Sequence, residues 1–91
     1  MTINHGFGIT VRTLRDQRGW SQEKFSEIVG IHRTYVSSIE LGKVSVSLII
    51  AEKIAKSFGL PLSKLFQHAE KHRANREGDI QLRRRALNAK K

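Results

Sequence analysis

The chain has 91 residues, a formal net charge of +9 and no cysteine. This length allows one small domain, and the lack of cysteine excludes disulfides and thiolate metal sites, as expected in a reducing cytoplasm. No apolar run approaches the roughly 20 residues of a membrane span, and the first residues lack a signal-peptide pattern. Such a basic chain favours a polyanionic partner, most often nucleic acid.

The first predicted helix follows a short arm. Residues 1–7 predict a flexible N-terminal arm, because no apolar spacing is evident there. Val11 and Leu14 then predict a helix from Ile9 to Arg18. We expect the ring of Trp20, which follows this helix, to pack against the next elements.

Residues 20–43 predict two short helices joined by a tight turn. Phe25 and Val29 fall at helical spacing and give the first of these helices an apolar face. Ser21 is a suitable N-cap, and Gly30 can adopt the left-handed conformation that a helix C-cap needs.

The second of these helices is predicted from Arg33 to Leu41 and is mostly polar. Only Val36 and Ile39 lie on its inner face. Its outward-facing residues are Arg33, Thr34, Tyr35, Ser37 and Ser38. The alternative to a functional role is that these residues simply form a solvated helix face. Serine, threonine and tyrosine are mediocre helix formers, so this alternative explains their presence poorly. They suit a helix that reads the major groove of DNA, where arginine can bond to guanine.

Two more helices and a basic tail complete the predicted fold. Ser47 is a plausible N-cap for a fourth helix that ends near Ser57, and Pro61 can open a fifth. The predicted domain spans residues 8–66. A basic tail follows over residues 67–91, possibly disordered or partly helical, and its net charge is +5. The fold class is therefore all-α, with five helices.

The segment 20–43 resembles the helix-turn-helix of the lambda-repressor/Cro (XRE-like) family. The apolar template of the family is met by Phe25, Val29, Ile31, Val36 and Ile39, with Gly30 in the turn. Gln22 matches a glutamine of the family, and Glu40 to Lys43 matches its glutamate-x-glycine-lysine ending. The string from Arg33 to Ser37 most resembles controller proteins of restriction–modification systems, and it is similar to strings in other small phage and bacterial regulators. The resemblance covers roughly residues 8–66.

The resemblance implies DNA contacts for residues in and around the second motif helix. These are Gln22, His32, Arg33, Thr34, Tyr35, Ser37, Ser38 and Lys43. Arg33 is expected to give the largest specificity contribution. Gln22 and Lys43 are expected at phosphates, with ordinary exposed side chains as the alternative. His32 departs from the family, which has a better N-cap there, so it either contacts DNA or weakens the helix start.

Two structural roles are also implied. In the family reading Arg15 and Glu40 form an ion pair between the first and third helices, the alternative being two separate surface charges. Apolar residues of the last two helices exceed what one small core face needs and suggest a homodimer interface. These residues are Ile49, Ile50, Leu62, Leu65 and Phe66. A twofold dimer implies a palindromic operator.

The function expected from these features is a sequence-specific, dimeric DNA-binding regulator that could recruit RNA polymerase or exclude it. The alternatives are an antitoxin whose tail binds a small toxin, and an RNA-binding module, although the chain lacks an aromatic base-stacking platform. We expect neither enzymatic activity nor a cofactor. His68 and His72 have a metal-compatible spacing but no evident third ligand, so we expect no metal. A bacterial or phage-encoded protein associated with the nucleoid is expected.

Overall fold

The computed structural model describes residues 2–74, which form five helices without a strand among them. The first four are α1 Ile3–Gln17, α2 Gln22–Val29, α3 Arg33–Glu40 and α4 Leu48–Ser57. The fifth, α5, is helical over residues 62–74. The predicted all-α, lambda-repressor-like class is confirmed. The rest of the basic tail, for which the antitoxin alternative expects binding to a toxin, lies outside the described residues.

Local capping sets the ends of the central helices where the sequence placed them. Ser21 Oγ accepts a hydrogen bond from the Lys24 backbone N–H at 3.0 Å at the start of α2. Gly30 ends that helix with a φ of 80°, in the left-handed region. Ser47 Oγ caps α4 by accepting from the Ile50 N–H at 3.1 Å. These predicted boundaries are confirmed because each depends only on nearby residues.

The predicted arm over residues 1–7 is wrong for residues 3–7, which form the first turns of α1. Phe7 is 6% exposed, and its ring centroid lies 6.3 Å from that of Phe66. Phe7 stands four residues before Val11, so it extends the same apolar face by one turn. Gly8 obscured this pattern, since glycine is a poor helix former.

The predicted end of the domain at residue 66 is also wrong. Ala69, in the predicted tail, has 0% exposure and lies within α5. A Cβ on Gly6 would collide with the Ala69 carbonyl oxygen, so α1 and α5 approach each other closely there. Alanine adds little to an apolar pattern in the sequence, and only its packing against Gly6 reveals that it belongs to the core.

An aromatic stack closes the core on the side of the first interhelical loop. The ring of Phe58 lies 5.1 Å from that of Phe25 and 5.9 Å from that of Trp20. This confirms the packing expected for Trp20. The Arg18 guanidinium covers the Phe58 ring at 4.8 Å, and its Nη2 donates to the Phe58 carbonyl at 2.6 Å. The loop is thus attached to the end of α4.

Each of the five helices in residues 2–74 contributes buried apolar residues to this core. Within that range the structure contains no helix with both the length and the apolar character of a membrane span.

Replacing Gly8 with alanine should destabilise the domain even though alanine favours helices. A Cβ at this position would collide with the carbonyl oxygens of Ile39 and Glu40, so α1 and α3 would have to separate. We expect Gly8→Ala to lower the free energy of unfolding by about 1–3 kcal/mol. Urea titration monitored by Trp20 fluorescence measures this free energy of unfolding. An increase in stability would contradict the close approach of these helices.

Candidate nucleic-acid interface

A buried ion pair fixes the position of α3 against α1. Arg15 Nε donates to Glu40 Oε2 at 2.8 Å, and Arg15 Nη2 donates to Glu40 Oε1 at 2.9 Å. The two side chains are 10% and 4% exposed, respectively. The hydrogen bond to Glu40 raises the pKa of Arg15, against the lowering effect of burial. The pair implied by the family resemblance is therefore formed, as a two-point contact that sets both distance and angle.

The same ion pair also holds the start of α2, through Glu40, and the loop before it, through Arg15. Arg15 Nη1 donates to the Trp20 carbonyl at 2.7 Å. Gln22 Nε2 donates to Glu40 Oε1 at 3.2 Å. The Gln22 side chain is thus engaged within the protein. The phosphate contact expected for Gln22 is one of its backbone N–H, which lies in the first turn of α2.

The first turn of α3 presents its side chains to the surface. Val36 and Ile39 are 0% and 1% exposed and anchor the inner face of the helix. Arg33 and Thr34 are exposed at its N-terminal end. This end is the part of a recognition helix that reaches base edges in the major groove.

The remaining predicted contact residues differ in how much surface they offer. Ser38 lies one turn after Thr34 and is half-buried, as are Tyr35 and Ser37. Lys43 is exposed just beyond the C-terminal end of α3. The exposed residues of this set thus lie at the N-terminal turn of α3 and just beyond its C-terminal end, with the half-buried ones between them.

His32 occupies the N-cap of α3 but makes no capping hydrogen bond. Its Nδ1 lies 3.2 Å from the Thr34 hydroxyl oxygen. The sequence showed that histidine is a weak cap, but it gave no sign of this contact, which depends on the rotamers of two side chains.

The loop that carries Lys43 is held by the N-terminal turn of α1. Asn4 Nδ2 donates to Ser45 Oγ at 2.9 Å. The His5 ring packs over Gly42, where a Cβ would lie 2.7 Å from the imidazole Cδ2. Sequence reasoning missed this support because it treated residues 1–7 as an arm. The position of Phe7, four residues before Val11, was the signal that could have revealed it.

The predicted dimer residues separate into three groups by exposure. Leu65 is 0% exposed and belongs to the core, so its assignment to an interface is wrong. Ile49 is 70% exposed, as is Leu48, which sequence reasoning did not include. The half-buried members of the predicted set are Ile50, Leu62 and Phe66. Helical spacing alone could not distinguish Leu65 from its neighbours, since several positions of α5 share one apolar stripe.

His68 and His72 line a cleft of about 280 Å³ between α5 and α1. Burial lowers the pKa of His72, and the charges of His68 and Lys71 add to this effect. Within residues 2–74 no group of three or more metal-ligating side chains comes together.

A match between this chain and a known protein family covers the candidate interface. Residues 11–65 match the helix-turn-helix family. The chain belongs to this family. The match spans the ion pair, both motif helices and most of the core, and it supports DNA-binding transcriptional regulation as the class of function. The matching family is a family of helix-turn-helix proteins and not an enzyme family.

Individual relatives of this helix-turn-helix protein include a control protein and a restriction–modification controller protein. The chain is 46% identical over 66 residues to the control protein C.MunI from a Mycoplasma species, covering 71% of this chain and 89% of that protein. It is 34% identical to the restriction–modification controller protein C.AhdI from Aeromonas hydrophila, whose crystal structure matches 68% of this chain and 94% of that one with a TM-score of 0.65.

A more distant structure supports the fold alone. The clp gene regulator ClgR from Corynebacterium glutamicum has a TM-score of 0.87 and 19% identity, and the match covers 92% of this chain and 89% of that one.

Breaking the ion pair should destabilise the domain more than replacing both partners. Glu40→Ala removes the buried counter-charge of the Arg15 guanidinium and leaves it only the exposed Asp16 carboxylate, 3.2 Å from Nη1. We expect a loss of up to about 3–5 kcal/mol in the free energy of unfolding. The double variant Arg15→Met with Glu40→Leu removes both charges and should lose less. Equilibrium denaturation of the two variants and the parent checks this. A double variant less stable than Glu40→Ala would show that the pair itself supplies the stability.

Proposed function

We propose that this helix-turn-helix protein is a sequence-specific regulator that binds double-stranded, palindromic DNA as a homodimer. The observation that carries the proposal is the exposed N-terminal turn of α3, held at a fixed angle by the buried Arg15–Glu40 ion pair. A helix fixed in this way can enter the major groove as a rigid body, so its side chains meet base edges without a large ordering cost.

The residues of α3 divide by the contacts they can make. Arg33 is a candidate for two hydrogen bonds to O6 and N7 of guanine. Thr34 and Ser38 can bond to base edges, and the Thr34 methyl can contact a thymine methyl. Tyr35 and Ser37, which are half-buried, suit phosphate or a flanking base.

Phosphate contacts on either side of α3 would fix the protein on the duplex. The backbone N–H of Gln22 lies at the positive end of α2, and the exposed ammonium group of Lys43 lies beyond the end of α3. Such contacts give register and affinity but no direct sequence information.

The dimer is proposed to form through the apolar surface of α4 and α5. Leu48 and Ile49 are each 70% exposed, which leaves two large aliphatic side chains in water at the start of α4. Burying both against a second copy removes this apolar area from water and is favourable at roughly 25 cal/mol per Å². A twofold axis there would place two recognition helices about 34 Å apart on one face of DNA.

The biological role we propose is control of restriction–modification genes, in line with the name of the restriction–modification controller protein C.AhdI. Such control acts through occupancy of the operator. A dimer bound over a promoter excludes RNA polymerase, whereas one bound upstream can recruit it.

Arg33→Ala tests whether α3 reads sequence. On an operator enriched from random duplexes by the parent protein, we expect a loss of about 1–3 kcal/mol in binding free energy, because a bidentate contact to guanine is removed. On scrambled duplex the loss should be much smaller. Fluorescence anisotropy at one salt concentration measures both affinities.

The matched control for Arg33 is Lys56→Ala, which removes an exposed cation from the last turn of α4, where the side chain is 76% exposed. This control should leave the ratio of operator to scrambled affinity unchanged. An equal loss on both duplexes for Arg33→Ala would show that Arg33 contributes only charge.

Ile49→Glu tests the dimer. The side chain is largely exposed, so the fold should persist, while a buried carboxylate at the interface should weaken dimerisation strongly. Sedimentation velocity should show a shift from dimer to monomer. Ile28→Glu, at a position that is 42% exposed on α2, is the control and should stay dimeric. A dimeric Ile49→Glu would place the interface elsewhere.

A further inference from the structure

The N-terminal end of α3 contains a hydrogen bond between two exposed side chains and no bond from the N-cap side chain to the backbone. His32 Nδ1 lies 3.2 Å from Thr34 Oγ1, although His32 occupies the N-cap, where a side chain usually bonds to the backbone. Both residues are exposed on the side proposed to meet DNA. An N-cap side chain that leaves the backbone unbonded and contacts a candidate base-reading residue calls for a role outside helix capping.

We propose that His32 determines specificity by fixing the direction of the Thr34 hydroxyl group. Nδ1 of His32 accepts the hydroxyl hydrogen, and the Thr34 oxygen is left as an acceptor only. This inference rests on the proposed function, since it concerns how the same helix reads bases.

The direction of the bond follows from the tautomer that we infer for His32. A neutral imidazole that carries its proton on Nε2 has only a lone pair at Nδ1, so the hydroxyl must donate to it. Thr34 lies in the first turn of α3, where unpaired backbone N–H groups create a positive potential. That potential favours the orientation in which the oxygen lone pairs, rather than the hydrogen, face the helix end.

A fixed hydroxyl discriminates between bases, whereas a rotating one does not. A free threonine hydroxyl can turn its hydrogen toward an acceptor or its lone pairs toward a donor, so it can form a hydrogen bond with many base edges. With its hydrogen held by His32, the Thr34 oxygen can only accept. It then favours base pairs that place an amino group opposite it, namely N6 of adenine or N4 of cytosine.

The test compares His32→Asn, Thr34→Val and the double variant on operators that carry each of the four base pairs at every half-site position. Thr34→Val should remove the preference for an amino-bearing base at one position and so identify the base pair that Thr34 reads. His32→Asn should reduce the preference at that same position by about fivefold, the value of one hydrogen bond. In the Thr34→Val background, His32→Asn should have no further effect on base preference.

Asparagine is chosen because it separates capping from positioning. It is a strong N-cap, so His32→Asn should stabilise α3 and raise the melting temperature while it lowers discrimination. A purely structural role for His32 predicts that the better cap keeps or sharpens discrimination at every position. A uniform change across all base pairs, or an effect that persists in the Thr34→Val background, would overturn the proposal.

A DNA-free measurement distinguishes failure of this inference from failure of the proposed function. Long-range ¹H–¹⁵N spectra report which ring nitrogen of His32 carries the proton. The protein should show Nε2–H, and Thr34→Val should change the chemical shift of Nδ1. A proton on Nδ1, or no response to Thr34→Val, overturns the role of His32 even if DNA binding is specific. If the protein enriches no DNA motif, it is the proposed function that fails.

Discussion

The two-point ion pair between Arg15 and Glu40 is the interaction on which the candidate DNA-binding surface depends. Removing both charges from water is costly, so the pair is a poor source of net stability. Its value lies in geometry, because a guanidinium and a carboxylate joined by two hydrogen bonds resist rotation. The Trp20 carbonyl and the Gln22 amide bond to the same pair, so the end of α3, the start of α2 and α1 are fixed around one group.

Close packing of α1 on α3 makes this geometry possible. Gly8 lets α1 approach the carbonyl groups at the end of α3 closely. Any side chain at this position would increase the distance between the two helices. The preceding turn of α1 then reaches the loop after α3 through the bond between Asn4 and Ser45. One helix therefore supports the proposed recognition helix along its C-terminal end and supports the loop that carries Lys43.

The sequence predicted features that depend on neighbouring residues. Ser21, Gly30 and Ser47 act through the backbone within a few residues, so their roles could be read from their types and positions. The Arg15–Glu40 pair is a long-range contact and came from the family resemblance rather than from periodicity.

Features set by tertiary packing could not be predicted in the same way. Ala69 belongs to the core because α1 and α5 meet at Gly6, a contact that no local pattern contains. Phe7 differs from Ala69, since its spacing to Val11 is a local sign of the same apolar face. Leu65 and Phe66 share an apolar stripe, yet only the first is fully buried. The bond between His32 and Thr34 depends on side-chain rotamers, which residue types alone do not specify.

The central claim is that a rigidly held α3 reads a defined DNA sequence, presented twice by a symmetric dimer. Selection of bound duplexes from a random pool, with the full chain at physiological salt, tests it most directly. The account predicts a palindromic motif whose half-sites lie about 10 base pairs apart, centre to centre, or a multiple of that spacing. Binding without any enriched motif would contradict it, because affinity would then come only from the positive charge of the chain.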